Sequence, residues 1–223
     1  QLALGVILST NTMLFDTLAS ARLLTRLAPL RYEDGQWWQW RFERNAVVNR
    51  FTLSALGDGT EGPRFGYLLE RGSSDAALAS AFDGEFERFT TSDDEIRRGQ
   101  GVLRYHFAAI DPVAGDGEMA LAFRSRGGVR QVHVFLREVR SATLANPVSA
   151  AYRYVQLAGG GGELVFATTT DFLDDGLPHE EVALRTRWLP SGEGRVLGVV
   201  SGGSLQLPEV LIEECWSTDG TTV

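Results

Sequence analysis

Two stretches carry side chains whose type and spacing could do chemistry. The first is GQWWQW, residues 35–40, where Trp37, Trp38 and Trp40 supply three of the five tryptophans. Indole rings on one strand face can stack on a sugar, line an apolar cavity or fill a core. The second is DFLDDGLPHEE, residues 171–181. Asp171, Asp175 and Gly176 fall at the first, fifth and sixth places of a calcium-loop pattern, with Glu180 or Glu181 as a later donor. Calcium wants about six to eight oxygens, and the glycine permits the sharp turn. Leu173 stands where the third place wants an oxygen, so a solvated hairpin turn is the plainer reading.

Other chemistries find less support. His106, His133 and His179 could in principle hold zinc, but nothing in their spacing makes them converge. HEEVA at 179–183 lacks the second histidine of a zinc-protease helix. No GxSxG occurs, and VVSGGS at 199–204 reads as a strand ending in a glycine turn. A Ser-His-Asp set drawn from distant parts of the chain stays open. Adjacent carboxylates such as Glu213 and Glu214 point to opposite faces of a strand, so they make no catalytic pair by themselves. Cys215 sits beside Glu214, whose charge opposes thiolate formation. It reads as a structural cysteine, or one paired with a cysteine outside this segment. All 21 basic residues are arginine, which removes every mechanism that needs a lysine.

The elements that position these residues follow from periodicity. From Asn11 to Leu27 the pattern reads as a helix, with Thr10 or Asn11 as cap and Pro29 just past its end. Met13, Leu14, Phe15, Leu18, Leu23, Leu24 and Leu27 do not keep to one narrow face, so this helix is buried or shared with a partner. LALGVIL, residues 2–8, is too short to span a bilayer; it reads as a buried first element or the tail of a targeting segment. After Tyr32 the period changes to two. Trp38, Trp40 and Phe42 share one face, and Trp37, Gln39 and Arg41 the other. Similar runs, VLRYHFAAI (102–110) and EEVALRTRWL (180–189) among them, continue to residue 216 between glycine-rich turns. Ser73 to Ser80 leaves room for one short helix.

The expected fold is mainly β. One domain, 1–223, has an apolar segment and helix at 1–30 packed on an antiparallel meander at 31–223. About eleven or twelve strands form a strongly curved sheet, as a half-barrel or a barrel, because a flat sheet of that size exposes its edges. A two-sheet sandwich is the alternative. Hydrophobic residues at 43% are enough for such a core. The net charge of −8 and the lack of a basic run speak against nucleic acid and anionic membrane surfaces as partners.

The C-terminal third adds a resemblance. AYRYVQLAGGGGELVFATTTDF, EEVALRTRWLPSGEGR and VSGGSLQLPEVLIEECWS look like parts of uncharacterised secreted lipoproteins of myxobacterial type. That resemblance implies an extracytoplasmic, lipid-anchored protein of the periplasm or cell surface, and no activity. The order of helix and curved sheet is distantly similar to periplasmic lipoprotein carriers, which hold acyl chains in a half-barrel. The functional expectation is therefore a non-catalytic protein that binds an apolar or lipid-like ligand, with Trp38, Trp40, Phe42, Phe15 and Leu18 lining the cavity. A structural subunit of a filament or envelope assembly, joined to its own copies or other partners through the N-terminal segment, is the alternative; a hydrolase is the second alternative. No cofactor is expected beyond calcium at Asp171, Asp175 and Glu180.

Overall fold

The computed structural model describes residues 26–89, 99–113, 115–140, 147–170, 176 and 179–218. The expected helix falls outside this set except for Arg26 and Leu27, which form a turn and a bend. Phe15 and Leu18 fall outside it too.

Thirteen strands follow in chain order. They are β1 (Arg31–Glu33), β2 (Trp37–Arg44), β3 (Val47–Asp58), β4 (Pro63–Gly72), β5 (Ala79–Arg88), β6 (Gly99–His106) and β7 (Asp116–Arg126). Then come β8 (Val129–Arg140), β9 (Val148–Gln156), β10 (Gly162–Thr170), β11 (Glu180–Trp188), β12 (Gly194–Gly202) and β13 (Glu209–Trp216). Each pairs antiparallel with the next, so one sheet runs in sequence order. The strand beyond the expected dozen is β1, whose three residues are too few to show a period.

Two expectations need correction. A closed barrel is not formed: among the described residues β1 and β13 each pair on one side only. The edges are a three-residue strand and a strand bearing Glu209, Glu213 and Glu214, and short or charged edges resist pairing. The run VLRYHFAAI is also not one strand. β6 stops at His106, and α1 (Phe107–Ile110) follows as one helical turn. Phe107 and Ile110 lie three apart, so the turn brings both onto the core, which alternation would not. The segment at 73–80 holds only a 3-10 turn, Asp75–Ala77.

Turn chemistry explains the meander. Asn45 and Ala46 both take positive φ (53° and 59°) between β2 and β3, the backbone of a two-residue hairpin. Gly127 and Gly128 do the same between β7 and β8. Period-two side chains then build rows across the sheet. One row runs Trp40, Phe51, Leu69, Phe82, Tyr105 and Met119 by direct register. The next runs Leu103, Leu121, Val134, Tyr152 and Phe166. Most of these side chains are buried, and those on β5–β10 form a single cluster. At roughly 25 cal/mol per Å² of apolar surface, this face is the main source of stability.

Candidate functional site

The turn end of β9–β13 holds two hairpins with one design. Leu157 donates from its backbone N–H to Gly161 O at 2.8 Å, and Gly160 donates to Leu157 O at 3.0 Å. Leu189 donates to Glu193 O at 2.8 Å, and Gly192 to Leu189 O at 3.0 Å. Gly160 and Gly192 both have φ of 96°, which side chains rarely tolerate. Each hairpin then begins its second strand with glycine, Gly162 and Gly194.

A tryptophan from the next strand lies on each glycine. Trp188 is the register partner of Gly162, and Trp216 of Gly194. A Cβ at Gly162 would collide with the Trp188 ring, and one at Gly194 with the Trp216 ring. Each indole Nε1–H donates to a turn carbonyl: Trp188 to Gly160 O at 3.3 Å, and Trp216 to Gly192 O at 2.8 Å. Tyr154 stacks on Trp188 with centroids 5.7 Å apart. The missing side chains thus fix where the rings lie.

Around these rings is an open groove of about 700 Å³. Leu157, Gly162, Trp188, Leu189, Gly194 and Trp216 supply its apolar lining, and Glu163, Arg187, Glu193 and Arg195 its charged lining. Leu157 and Leu189 are more than half exposed (54% and 57%), apolar surface left open to water. That size falls in the range of small-molecule sites, roughly 300–1,000 Å³.

A charged centre adjoins the groove. Glu163 accepts hydrogen bonds from Arg153 Nη2, from Arg185 Nε and Nη2, and from Arg187 Nε. Its carboxyl pKa is pulled down to about 2, chiefly by the bond from Arg187, then by that from Arg185. Three cations on one anion leave a local positive excess in an acidic chain. Elsewhere Arg41 matches Asp75 singly, as do Arg50 with Glu70 and Arg64 with Glu85, while Glu61 takes two arginines, Arg124 and Arg126.

The residues singled out from sequence are placed as follows. Trp40 is buried, packs on Phe51 at 5.6 Å and donates from Nε1 to Leu27 O at 3.0 Å. Trp38 is half-buried, one register step along the same face. Phe42 is 38% exposed at the far end of β2. Trp37, on the opposite face with Gln39 and Arg41, is half-buried and donates from Nε1 to Glu33 Oε2 at 3.2 Å. Of the proposed calcium ligands, Asp171 and Asp175 lie outside the described residues. Glu180 is fully buried, and its Oε1 accepts from Ser204 N–H at 2.9 Å and Ser204 Oγ at 3.0 Å. Among the described residues, no three histidine, cysteine or acidic side chains gather as a metal site.

The histidines bear on catalysis. His106 Nε2 lies 2.9 Å from Asp83 Oδ2, and its Nδ1 lies 3.6 Å from Glu118 Oε1. Arg104 and Arg137 extend the same ladder through Asp83 and Glu118. A general base needs one ring nitrogen facing substrate or nucleophile. Here both face carboxylates on neighbouring strands, which is the geometry of a cross-strand charge ladder. Cys215 is half-buried, with Arg195 as its register partner.

The rings at the groove escaped the sequence reading. Their signal was present as a repeated spacing: Leu157, Gly160 and Gly162 recur as Leu189, Gly192 and Gly194, each set followed later by a strand-ending tryptophan. Comparison of the chain with protein families, with characterised proteins and with solved structures finds no match.

Proposed function

We propose that this chain is a non-catalytic, extracytoplasmic protein that binds an apolar or lipid-like ligand against its sheet. The observation that carries the proposal is the open groove of about 700 Å³ whose apolar lining includes Leu157, Trp188, Leu189 and Trp216. Ordered aromatic rings beside exposed leucines bind apolar groups at low entropic cost, because the rings are already held. The extracytoplasmic location rests on the lipoprotein resemblance of the C-terminal third. A strongly curved half-barrel, with Trp38, Trp40, Phe42, Phe15 and Leu18 lining its concavity, belongs to the same proposal and would extend the apolar path.

Native mass spectrometry of gently purified protein tests this. A monomer with a co-purified mass of lipid size supports it. A ligand-free protein that also fails to take up a medium-chain alcohol would contradict it.

A second reading, a subunit of an envelope or filament assembly, draws on one observation. β13 is an eight-residue edge strand whose Leu211 is 71% exposed. Despite its three glutamates, the open backbone side of β13 offers hydrogen bonds to a further strand among the described residues. A concentration-dependent multimer in light scattering, lost on placing proline within β13, would favour it.

A further inference from the structure

We infer that the groove takes an amphiphile whose head group is an oxyanion, a carboxylate or phosphate, held by Arg153, Arg185 and Arg187 around Glu163. This inference rests on the apolar-ligand reading and adds the chemistry of the head.

The geometry supplies both halves of such a ligand's site. Glu163 and Arg187 belong to the groove lining together with Val155, Leu157 and Leu189, and Val155 is the register partner of Glu163 on the same face. Arg153 and Arg185 reach the same carboxylate from β9 and β11, so the three guanidinium groups converge on one point. Glu163 is largely covered, with a side chain 16% exposed, while the arginines remain 46%, 49% and 64% exposed. The carboxylate therefore acts as an internal organiser, and the outer edges of the guanidinium groups face water.

Donor accounting points the same way. A guanidinium carries about five N–H bonds in a planar fork. Arg153 binds Glu163 through one terminal nitrogen and Arg187 only through Nε. Arg185 uses Nε and one terminal nitrogen. Both terminal nitrogens of Arg187 and one each of Arg153 and Arg185 are left without a partner among the described residues. Fork-shaped donors match carboxylate and phosphate oxygens, and such charge-assisted bonds are roughly twice as strong as neutral ones. One carboxylate cannot balance three guanidinium charges. A second anion would relieve their mutual repulsion.

The acidic balance of the whole chain sharpens the point. A net charge of −8 repels anions in general, so a local positive cluster selects those that also gain from the apolar wall. A free phosphate has no apolar part to gain from. An uncharged alcohol has no use for the arginines.

The test compares three probes by calorimetry on the full chain: decyl phosphate, 1-decanol and inorganic phosphate, each below its aggregation limit. Decyl phosphate is expected to bind at least about ten-fold tighter than 1-decanol, with inorganic phosphate weaker than either. In an Arg153→Gln/Arg185→Gln double variant that ratio should fall to about one. Both residues reach the groove's edge through Glu163, so 1-decanol binding by the variant reads the apolar lining alone, and circular dichroism checks that the variant folds. An Arg187→Lys variant, which keeps the charge and loses the fork, should lose part of the preference. Equal binding of decyl phosphate and decanol to the wild type would overturn the head-group inference and leave the groove reading standing. Binding of neither amphiphile would overturn both. Inorganic phosphate binding as tightly as decyl phosphate would assign the cluster to a free ion and overturn the amphiphile.

Discussion

Two groups of tryptophans sit in opposite halves of the sheet and do different work. Trp37, Trp38 and Trp40 are crowded into one strand, and Trp40 is spent on the core, with Phe51 against its ring and a backbone oxygen on its nitrogen. Trp188 and Trp216 are far apart in sequence, yet each ends a strand, covers a glycine and borders the same groove. The difference lies in what stands opposite. A large partner across the register buries an aromatic ring, as Phe51 does to Trp40. A glycine lets the ring lie over the neighbouring backbone, and Trp188 and Trp216 stay only half-buried. Clustering of aromatics along the chain is thus a poor guide to a binding surface. The identity of the residue one strand over decides it.

The largest effect should come from the buried member of the comparison. Trp40→Ala should destabilise the protein by about 3–5 kcal/mol, because it removes a core ring and orphans a carbonyl. Trp188→Ala should cost under about 2 kcal/mol, since its ring is only half-buried. Urea unfolding of the two variants measures the gap, and equal losses would break the contrast.

Next come the glycines. Gly162→Ala and Gly194→Ala each place a methyl where an indole lies, and should cost about 1–3 kcal/mol with displacement of the ring. Gly176→Ala, where a Cβ meets nothing within 4 Å but φ is 71°, isolates the backbone share of such a cost. Thermal unfolding should rank the two sheet glycines above it.

A smaller effect belongs to the charged centre. Glu163 has a folded pKa of about 2, below the ordinary carboxylate range near ~4.3. Its contribution to stability is therefore complete above about pH 4.3 and is lost as pH falls toward 2. Glu163→Gln should cost about 1 kcal/mol at neutral pH, discounted for the exposure of its partners. It should also flatten the decline of stability between pH 4 and 2. Asp75 and Glu87 are likewise held low, by Arg41 and by the Glu61 backbone N–H, so the decline shrinks without vanishing. Trp37→Ala should change stability least of the tryptophan truncations, by about 0.5–1 kcal/mol, because it loses a half-buried ring and a hydrogen bond to an exposed Glu33.

The same contrast explains what could be read in advance. Period-two alternation and turn glycines make the antiparallel meander legible, down to the shared face of Trp38 and Trp40. Alternation could not show that Phe107 and Ile110 leave β6 for a helical turn, since an apolar run of the length of VLRYHFAAI fits a strand and a helical turn alike. Nor could it show whether the sheet closes, because each strand in a barrel and in an open sheet alternates alike. The groove was illegible for a further reason. Gly162 meets Trp188 only through the register of β10 on β11, which depends on the turn between them. Glu163 likewise gathers arginines from strands on both sides, and no single stretch of sequence contains the cluster.

The most direct test follows the five indole N–H signals by NMR during titration with 1-decanol, each signal assigned by a Trp→Phe variant. The account predicts that Trp188 and Trp216 shift first and furthest while Trp40 holds still. Shifts centred on Trp38 and Trp40, with Trp188 and Trp216 unmoved, would contradict it and put the ligand at the other end of the sheet.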